Sequence, residues 1–186
     1  MKKVGVLFLF LFLVSGCTKA PREIERGMML RSALLQGKGC TFDADITADY
    51  GDRIYHFTLK CQGNADGDLK FTVTVPETIA GITGEISDEG GKLTFDDVAL
   101  QFDAMTDDQI SPVTAPWIFL KSLRSGYLSS AGTEEGMLRL TIDDSYDDDA
   151  LHLDIWIDPR NKPIAAEILY DGERILSLKI DNFTIV

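Results

Sequence analysis

The chain has 186 residues, 30 acidic against 18 basic, with three cysteines and two histidines. That length suits one domain with a real core, and a formal charge of −12 excludes nucleic acid as a partner, since phosphates need a basic surface. So few histidines and thiols leave little for metal or nucleophilic chemistry, and no metal or other cofactor is expected.

The first sixteen residues differ from the rest. Lys2 and Lys3 precede Val4–Val14, a run that is apolar apart from Gly5, and Ser15-Gly16-Cys17 follows. A basic start, a short apolar stretch and small residues, in that order, make a secretory signal. About eleven apolar residues are too few for a membrane-spanning helix, which needs about 20. Val14-Ser15-Gly16-Cys17 resembles the lipobox of bacterial lipoproteins. That resemblance implies a diacylglyceryl group on the Cys17 sulfur, cleavage before it and often acylation of the new amino group. Two or three acyl chains suffice for stable anchoring. Residues 1–16 therefore read as a signal peptide, 17–22 as a lipidated tether and 23–186 as one domain. An aspartate after the cysteine implies inner-membrane retention in Gram-negative lipoproteins, and Thr18 does not give that signal. Thr18–Arg22 reaches about 17 Å, at ~3.3–3.6 Å per residue. Without the signal the remaining 170 residues carry 30 acids and 16 bases, a charge of −14. An anionic leaflet repels such a body, so the domain is held off the membrane that anchors it.

In chain order, Pro21–Gln36 reads as a helix, with Pro at its start, Ile24, Met28, Leu30, Leu34 and Leu35 inside, and Gly37 at its end. Cys40–Asp49 then alternates strictly, its even positions apolar, and Arg53–Cys61 places most of its bulky apolar groups at odd positions. A two-residue turn at Tyr50-Gly51 would pair residues whose numbers sum to 101. Phe42 then faces Leu59, Ala44 faces Phe57, Ile46 faces Tyr55, and Cys40 falls opposite Cys61 in a non-hydrogen-bonded pair. Outside the cytoplasm thiols tend to pair, so this register predicts a Cys40–Cys61 disulfide; two free buried thiols are the alternative.

Leu69–Val75 alternates again. Ile82–Ser87, Lys92–Phe95 and Val98–Phe102 read as short strands separated by acidic turns, and Met105–Pro112 as a polar loop. Thr114 suits an N-cap, with Pro116 in the first turn. Pro116, Phe119, Leu120, Leu123 and Tyr127 share one helical stripe, which leaves Trp117 and Ile118 off it for an exposed patch or a lid. Ser129–Gly136 reads as a loop. Met137–Ile142, Leu151–Ile157, Pro163–Tyr170 and Arg174–Val186 are strands, the last two joined by Asp171-Gly172, with a bend at Asp181-Asn182. The sum is about ten antiparallel strands with two helices.

One helix, a meander, a helical insertion and a second meander, behind a lipobox, resemble the LolA/LolB/LppX superfamily of lipoprotein carriers and lipid-binding lipoproteins. The run Lys162-Pro163…Tyr170-Asp171-Gly172…Asp181-Asn182-Phe183 carries the likeness best. The resemblance implies an α+β fold, a strongly curved antiparallel half-barrel with helices covering its concave face. It also implies a hydrophobic ligand, lipid or acyl chain, between sheet and helices. Spore-germination lipoproteins of Firmicutes belong to the same superfamily, and their described role of partner binding implies instead an envelope protein partner.

The insertion stripe Phe119, Leu120, Leu123 and Tyr127, facing Phe42, Ile46, Tyr55, Phe57 and Leu59, is the candidate ligand lining, and an ordinary packed core is its alternative. Asp143–Asp149 invites a calcium reading, but the glycine and glutamate that an EF-hand needs at its sixth and twelfth places are Asp148 and Asp154. His56 and His152 lie on outward strand faces with no triad arrangement, no Gly-x-Ser-x-Gly is present, and no catalytic residue is assigned. The chain is thus expected to be a non-enzymatic, exported lipoprotein of the bacterial cell envelope. If Cys17 is the lipid attachment site, cells fed an alkyne-tagged palmitate should label the wild-type protein. The Cys17→Ser variant should stay unlabelled and migrate as the uncleaved precursor; a labelled variant would overturn the assignment.

Overall fold

The computed structural model describes residues 22–51, 53–96, 98–102, 105–106, 109–146 and 150–186. The lipobox, the tether up to residue 21 and residues 147–149 of the acidic turn lie outside them. Helix α1 (Arg22–Gln36) leads into β1 (Gly39–Asp49), β2 (Ile54–Asn64), β3 (Leu69–Val75), β4 (Thr83–Ser87), β5 (Gly90–Phe95) and β6 (Val98–Phe102). A two-residue pair, β7 (Met105–Thr106) and β8 (Gln109–Ile110), precedes a 3-10 turn and helix α2 (Ala115–Ser125). Then come β9 (Tyr127–Glu134), β10 (Met137–Asp143), β11 (His152–Ile157), β12 (Pro163–Tyr170) and β13 (Glu173–Ile185). Eleven strands form one open, antiparallel, curved sheet in the order β6-β5-β4-β3-β2-β1-β13-β12-β11-β10-β9. The first strand therefore pairs with the last and joins the two meanders edge to edge.

The alternation in β1 sets the faces. Phe42, Ala44, Ile46 and Ala48 are buried, while the odd residues point to the polar side. β11 behaves likewise: Leu153, Ile155 and Ile157 are buried, while His152 is exposed and Trp156 half-buried. The bend expected at Asp181-Asn182 is a β-bulge. Asn182 takes φ 56°, the β1–β13 register shifts between Thr41 and Asp43, and the Asn182 amide donates to Asp43 Oδ2 at 2.7 Å.

The first hairpin differs from the sequence reading in register. Its partners sum to 103: Cys40 faces Gly63, Phe42 faces Cys61 and Ala44 faces Leu59. The turn lies one residue later, closed by Tyr50 N–H to the Arg53 carbonyl at 3.0 Å. The reason is backbone chemistry. The first central position of a tight hairpin turn needs φ > 0; Gly51 supplies it at 81°, and its N–H donates to the Asp49 carboxylate at 2.9 Å. Tyr50 would adopt that conformation only at a cost. The two-residue slip keeps every side chain on its expected face, because a shift of one flips the faces and a shift of two restores them. It moves the cysteines to pairs two residues apart along the ladder. Both are buried free thiols.

Three further readings change. β9 occupies most of the expected 129–136 loop; as an edge strand with mainly exposed polar side chains it carries no burial period, and its hairpin with β10 holds it. Tyr127 starts β9 instead of extending the helical stripe, since α2 ends at Ser125 and Gly126 N–H caps the Ser122 carbonyl at 2.8 Å. Trp117 and Ile118 are buried, not displayed: Ala115–Leu120, Ser122 and Leu123 are all buried, so α2 is apolar nearly all round and enclosed accordingly. In α1 the buried set is Gly27, Leu30 and Leu34, with Ile24 half-buried and Met28 and Leu35 exposed.

The helices cap one another. Arg31 of α1 donates through Nε to the Leu123 carbonyl at 2.8 Å, in the last turn of α2, and through Nη2 to the Ser122 carbonyl at 3.3 Å, which Gly126 N–H already holds. Arg124 of α2 donates back to the Leu34 carbonyl of α1 at 3.3 Å and to Ala65, in the β2–β3 turn, at 2.6 Å. A cation at each C-terminus also suits the helix dipole. Arg31→Met keeps the aliphatic stem but leaves the Leu123 carbonyl without this donor, so urea unfolding should show a loss of about 1–3 kcal/mol. An unchanged midpoint would remove the cap from the list of stabilising contacts.

The thiols predict a pH effect. Burial pushes Cys40 up to about 11 from an ordinary 9.0, and pushes Cys61 up as well. The folded state therefore holds these protons where the unfolded chain releases them. Their contribution is complete below pH 9 and is lost as pH rises through about 11. The urea midpoint should fall across that window in the wild type and fall less in the Cys40→Ala/Cys61→Ala double variant; equal slopes would contradict this.

Candidate functional site

The nine candidate lining residues fall into two groups, with Tyr127 apart from both. Phe42, Ile46, Leu59, Phe119, Leu120 and Leu123 are buried together in the main core. Phe42 meets Phe119 edge-on with ring centroids 5.7 Å apart, and Phe183 of β13 completes the triad at 5.7 Å from Phe42 and 6.5 Å from Phe119. Such ring pairs contribute about 0.5–1.5 kcal/mol each beyond their buried area. Leu120 lies where β2 comes closest: a Cβ on Gly63 would stand 2.4 Å from Leu120 Cδ2 and 3.2 Å from Cys40 Sγ. With no side chain at Gly63, Leu120 packs directly on the strand. Side chains thus fill the contact between α2 and the sheet.

The second group lies toward the β1–β2 turn. Tyr55 is 39% exposed and Phe57 half-buried. Tyr50, Tyr55 and Phe57 form a ladder of rings 6.2 and 6.3 Å apart. Tyr50 OH donates to the Ile110 carbonyl at 2.6 Å and so ties the insertion to the hairpin. Tyr127 is 51% exposed and packs on Tyr146 at 5.2 Å, away from the other eight.

Sequence reasoning did not single out the apolar row at the other end of this face. Pairing runs from Phe71 through Gly84 and Leu93 to Leu100, and joins Phe95 to Val98, so these side chains share the face of the core. Yet Phe95, Val98 and Leu100 are 55, 71 and 63% exposed. Their alternation identifies β5 and β6 as strands. Their position at a sheet edge depends on which strands pair, which no local pattern carries.

The opposite face is polar. A groove of about 590 Å³ there is lined by Lys60, Lys70, Lys92, Glu85, Asp43 and a row of threonines. On β10 and β11, Arg139 donates to Asp154 at 2.6 Å and lies 3.5 Å from Glu134, with its guanidinium over the Trp156 ring. Trp156 Nε1–H donates to Glu134 at 2.9 Å and Thr141 to Asp154 at 2.8 Å. The hydrogen bond to Asp154 raises the Arg139 pKa further.

The features weighed for chemistry resolve into local structure. His152 Nδ1 is 2.5 Å from Asp143 Oδ1, and His56 Nδ1 3.0 Å from Thr47 Oγ1, both at exposed positions. Asp144 Oδ1 accepts from Leu151 N–H at 2.8 Å, and Asn64 Oδ1 accepts from the N–H groups of Asp66, Gly67 and Asp68. These oxygens are spent on closing turns. Among the described residues no group of three His, Cys, Asp or Glu side chains could hold a metal ion, and no helix is long and apolar enough to cross a membrane.

No family model matches the chain, and no curated protein matches it. Among solved structures it is similar to a LolA superfamily protein from Nitrosomonas europaea, at 6% identity and TM-score 0.44 over 86% of this chain and 93% of that one. It is also similar to the Mycobacterium tuberculosis lipoprotein LppX, at 13% identity and TM-score 0.42 over 87% and 93%. A third is a chain from the Clostridioides difficile CwlD amidase in complex with the GerS lipoprotein, at 12% identity and TM-score 0.45 over 90% and 97%. At these identities and scores the likeness concerns chain path alone, and it transfers no activity to this chain.

Proposed function

We propose that the chain is an exported bacterial lipoprotein, anchored at Cys17, whose helix-covered half-barrel is a non-enzymatic module that holds a partner protein in the envelope. The observation that carries this reading is the filled interior. Phe42, Phe119 and Phe183 touch one another and Leu120 occupies the space over Gly63. An acyl chain between α2 and the sheet would have to displace side chains that already bury their apolar surface, at about 25 cal/mol per Å². The charge of −14 on the mature chain fits a domain presented to the aqueous side of its membrane.

A second reading, binding or shuttling of a hydrophobic ligand such as a lipid or acyl chain, is favoured by one observation. Phe95, Val98 and Leu100 leave part of the apolar face uncovered, and apolar surface of that kind can take a lipid as well as a protein.

Protein expressed from Thr18 onward, purified without detergent, extracted with solvent and analysed by mass spectrometry separates the two. The partner-module reading expects no stoichiometric lipid and no uptake of an apolar dye; one lipid per chain would overturn it in favour of the carrier. The packing argument has its own check. Phe119→Ala should cost about 3–5 kcal/mol in urea unfolding, as for a filled core position, whereas a cost under about 1 kcal/mol would mean that the ring lines free space.

A further inference from the structure

We infer that the outer edge of β6 accepts an extended segment of a partner protein as a twelfth strand, one whose alternate residues are apolar and whose ends are basic. This deepens the partner-module reading and rests on it.

β6 ends the sheet on one side. The β5–β6 hairpin pairs Phe95 with Val98 across a tight turn, then Thr94 with Ala99, Leu93 with Leu100 and Lys92 with Gln101. The pair that flanks such a turn is hydrogen-bonded, and pairs alternate from there. Val98, Leu100 and Phe102 therefore bond inward to β5. The N–H and C=O groups of Ala99 and Gln101 point outward along the edge, four groups that an incoming strand can satisfy.

Edges of this kind are ordinarily blunted by lysine, proline or a bulge. Val98-Ala99-Leu100-Gln101-Phe102 contains none of the three, and its pairing with β5 runs without a register shift. The other edge, β9, contrasts with it. Most of its side chains are polar, and α1 packs against it. The apolar side chains of β6 supply the second half of an acceptor. Val98 and Leu100 are both more than 60% exposed, next to Phe95 and the half-buried Leu93. A strand laid on the edge would extend this row with its own alternate side chains.

Charge selects the occupant. Asp96, and in sequence Asp97 and Asp103, bracket the strand, and the chain as a whole carries −12. The cation in register, Lys92, stands beside Gln101 on the polar face and leaves the acidic turn end open. A second copy fits poorly. Two chains that each carry −12 repel one another, which opposes self-pairing at this edge. Basic residues flanking an apolar-alternating strand match both features.

The test uses the full-length lipidated protein in nanodiscs and a fluorescein-labelled peptide, KKVTITVKK, read by fluorescence anisotropy. Saturable binding is expected. Gln101→Pro should weaken it about tenfold, because it removes one outward N–H and bars the approach without breaking a bond to β5. Leu100→Ser should weaken it by a similar factor, and Thr133→Pro on the β9 edge should leave it unchanged. EEVTITVEE should bind at least about tenfold more weakly. Hydrogen exchange should slow over residues 98–102 when the first peptide is present. No saturable binding, or equal weakening by Gln101→Pro and Thr133→Pro, would overturn the proposal. So would a dimer abolished by Gln101→Pro in protein that ignores the peptide, since the occupant would then be a second copy. Lipid extraction judges the partner-module reading separately, so either reading can fail alone.

Discussion

Three phenylalanines hold the two halves of the molecule in one piece. Phe42 comes from the first strand, Phe183 from the last and Phe119 from the helix between the meanders, and their rings meet within 5.7–6.5 Å. That contact adds to the β1–β13 ladder that joins the two meanders, and it helps to seat α2 on the sheet. A helix of eleven residues is too short to be stable alone, so its existence depends on this burial. The reciprocal arginine caps act on the same junction from outside, Arg31 and Arg124 each closing carbonyls at the other helix's C-terminus.

Filling that junction has a functional consequence. A half-open sheet with helices on its apolar face can either enclose a ligand or pack solid, and sequence composition does not distinguish the two. Here the small residue at Gly63 admits Leu120, and the three rings occupy the middle. Apolar surface left for recognition is then displaced to the periphery, at Phe95, Val98 and Leu100 beside an open strand edge. The location of that surface, more than its amount, favours a protein strand over an enclosed lipid.

The thiols illustrate how a small local choice propagates. Expecting Tyr50-Gly51 at the hairpin tip sets Cys40 opposite Cys61; using Gly51 as the first central residue sets Cys40 opposite Gly63. Gly63 itself lies against Leu120, whose Cδ2 would have to shift to admit a Cβ there. Backbone strain at one turn residue thus decides the partners of the cysteines.

Local chemistry was legible in the sequence because it repeats at short range. Period-two alternation assigned β1, β3 and β11 and the face of each. Those faces survive the altered register of the first hairpin because the slip is an even number of residues. The Asp171-Gly172 turn and the bend at Asp181-Asn182 were legible for the same reason, each being a property of two or three neighbouring residues. The six buried candidate residues were recognisable as apolar and inward. Whether they line a space or fill one was not, because that depends on Phe183 and Gly63, which come to the site from distant segments. The edge strand β9, the enclosure of Trp117 and Ile118, and the exposure of Phe95, Val98 and Leu100 were likewise settled by tertiary structure alone. Burial is decided by which elements become neighbours, and pairing order is a long-range outcome that alternation, turns and charge do not encode one residue at a time.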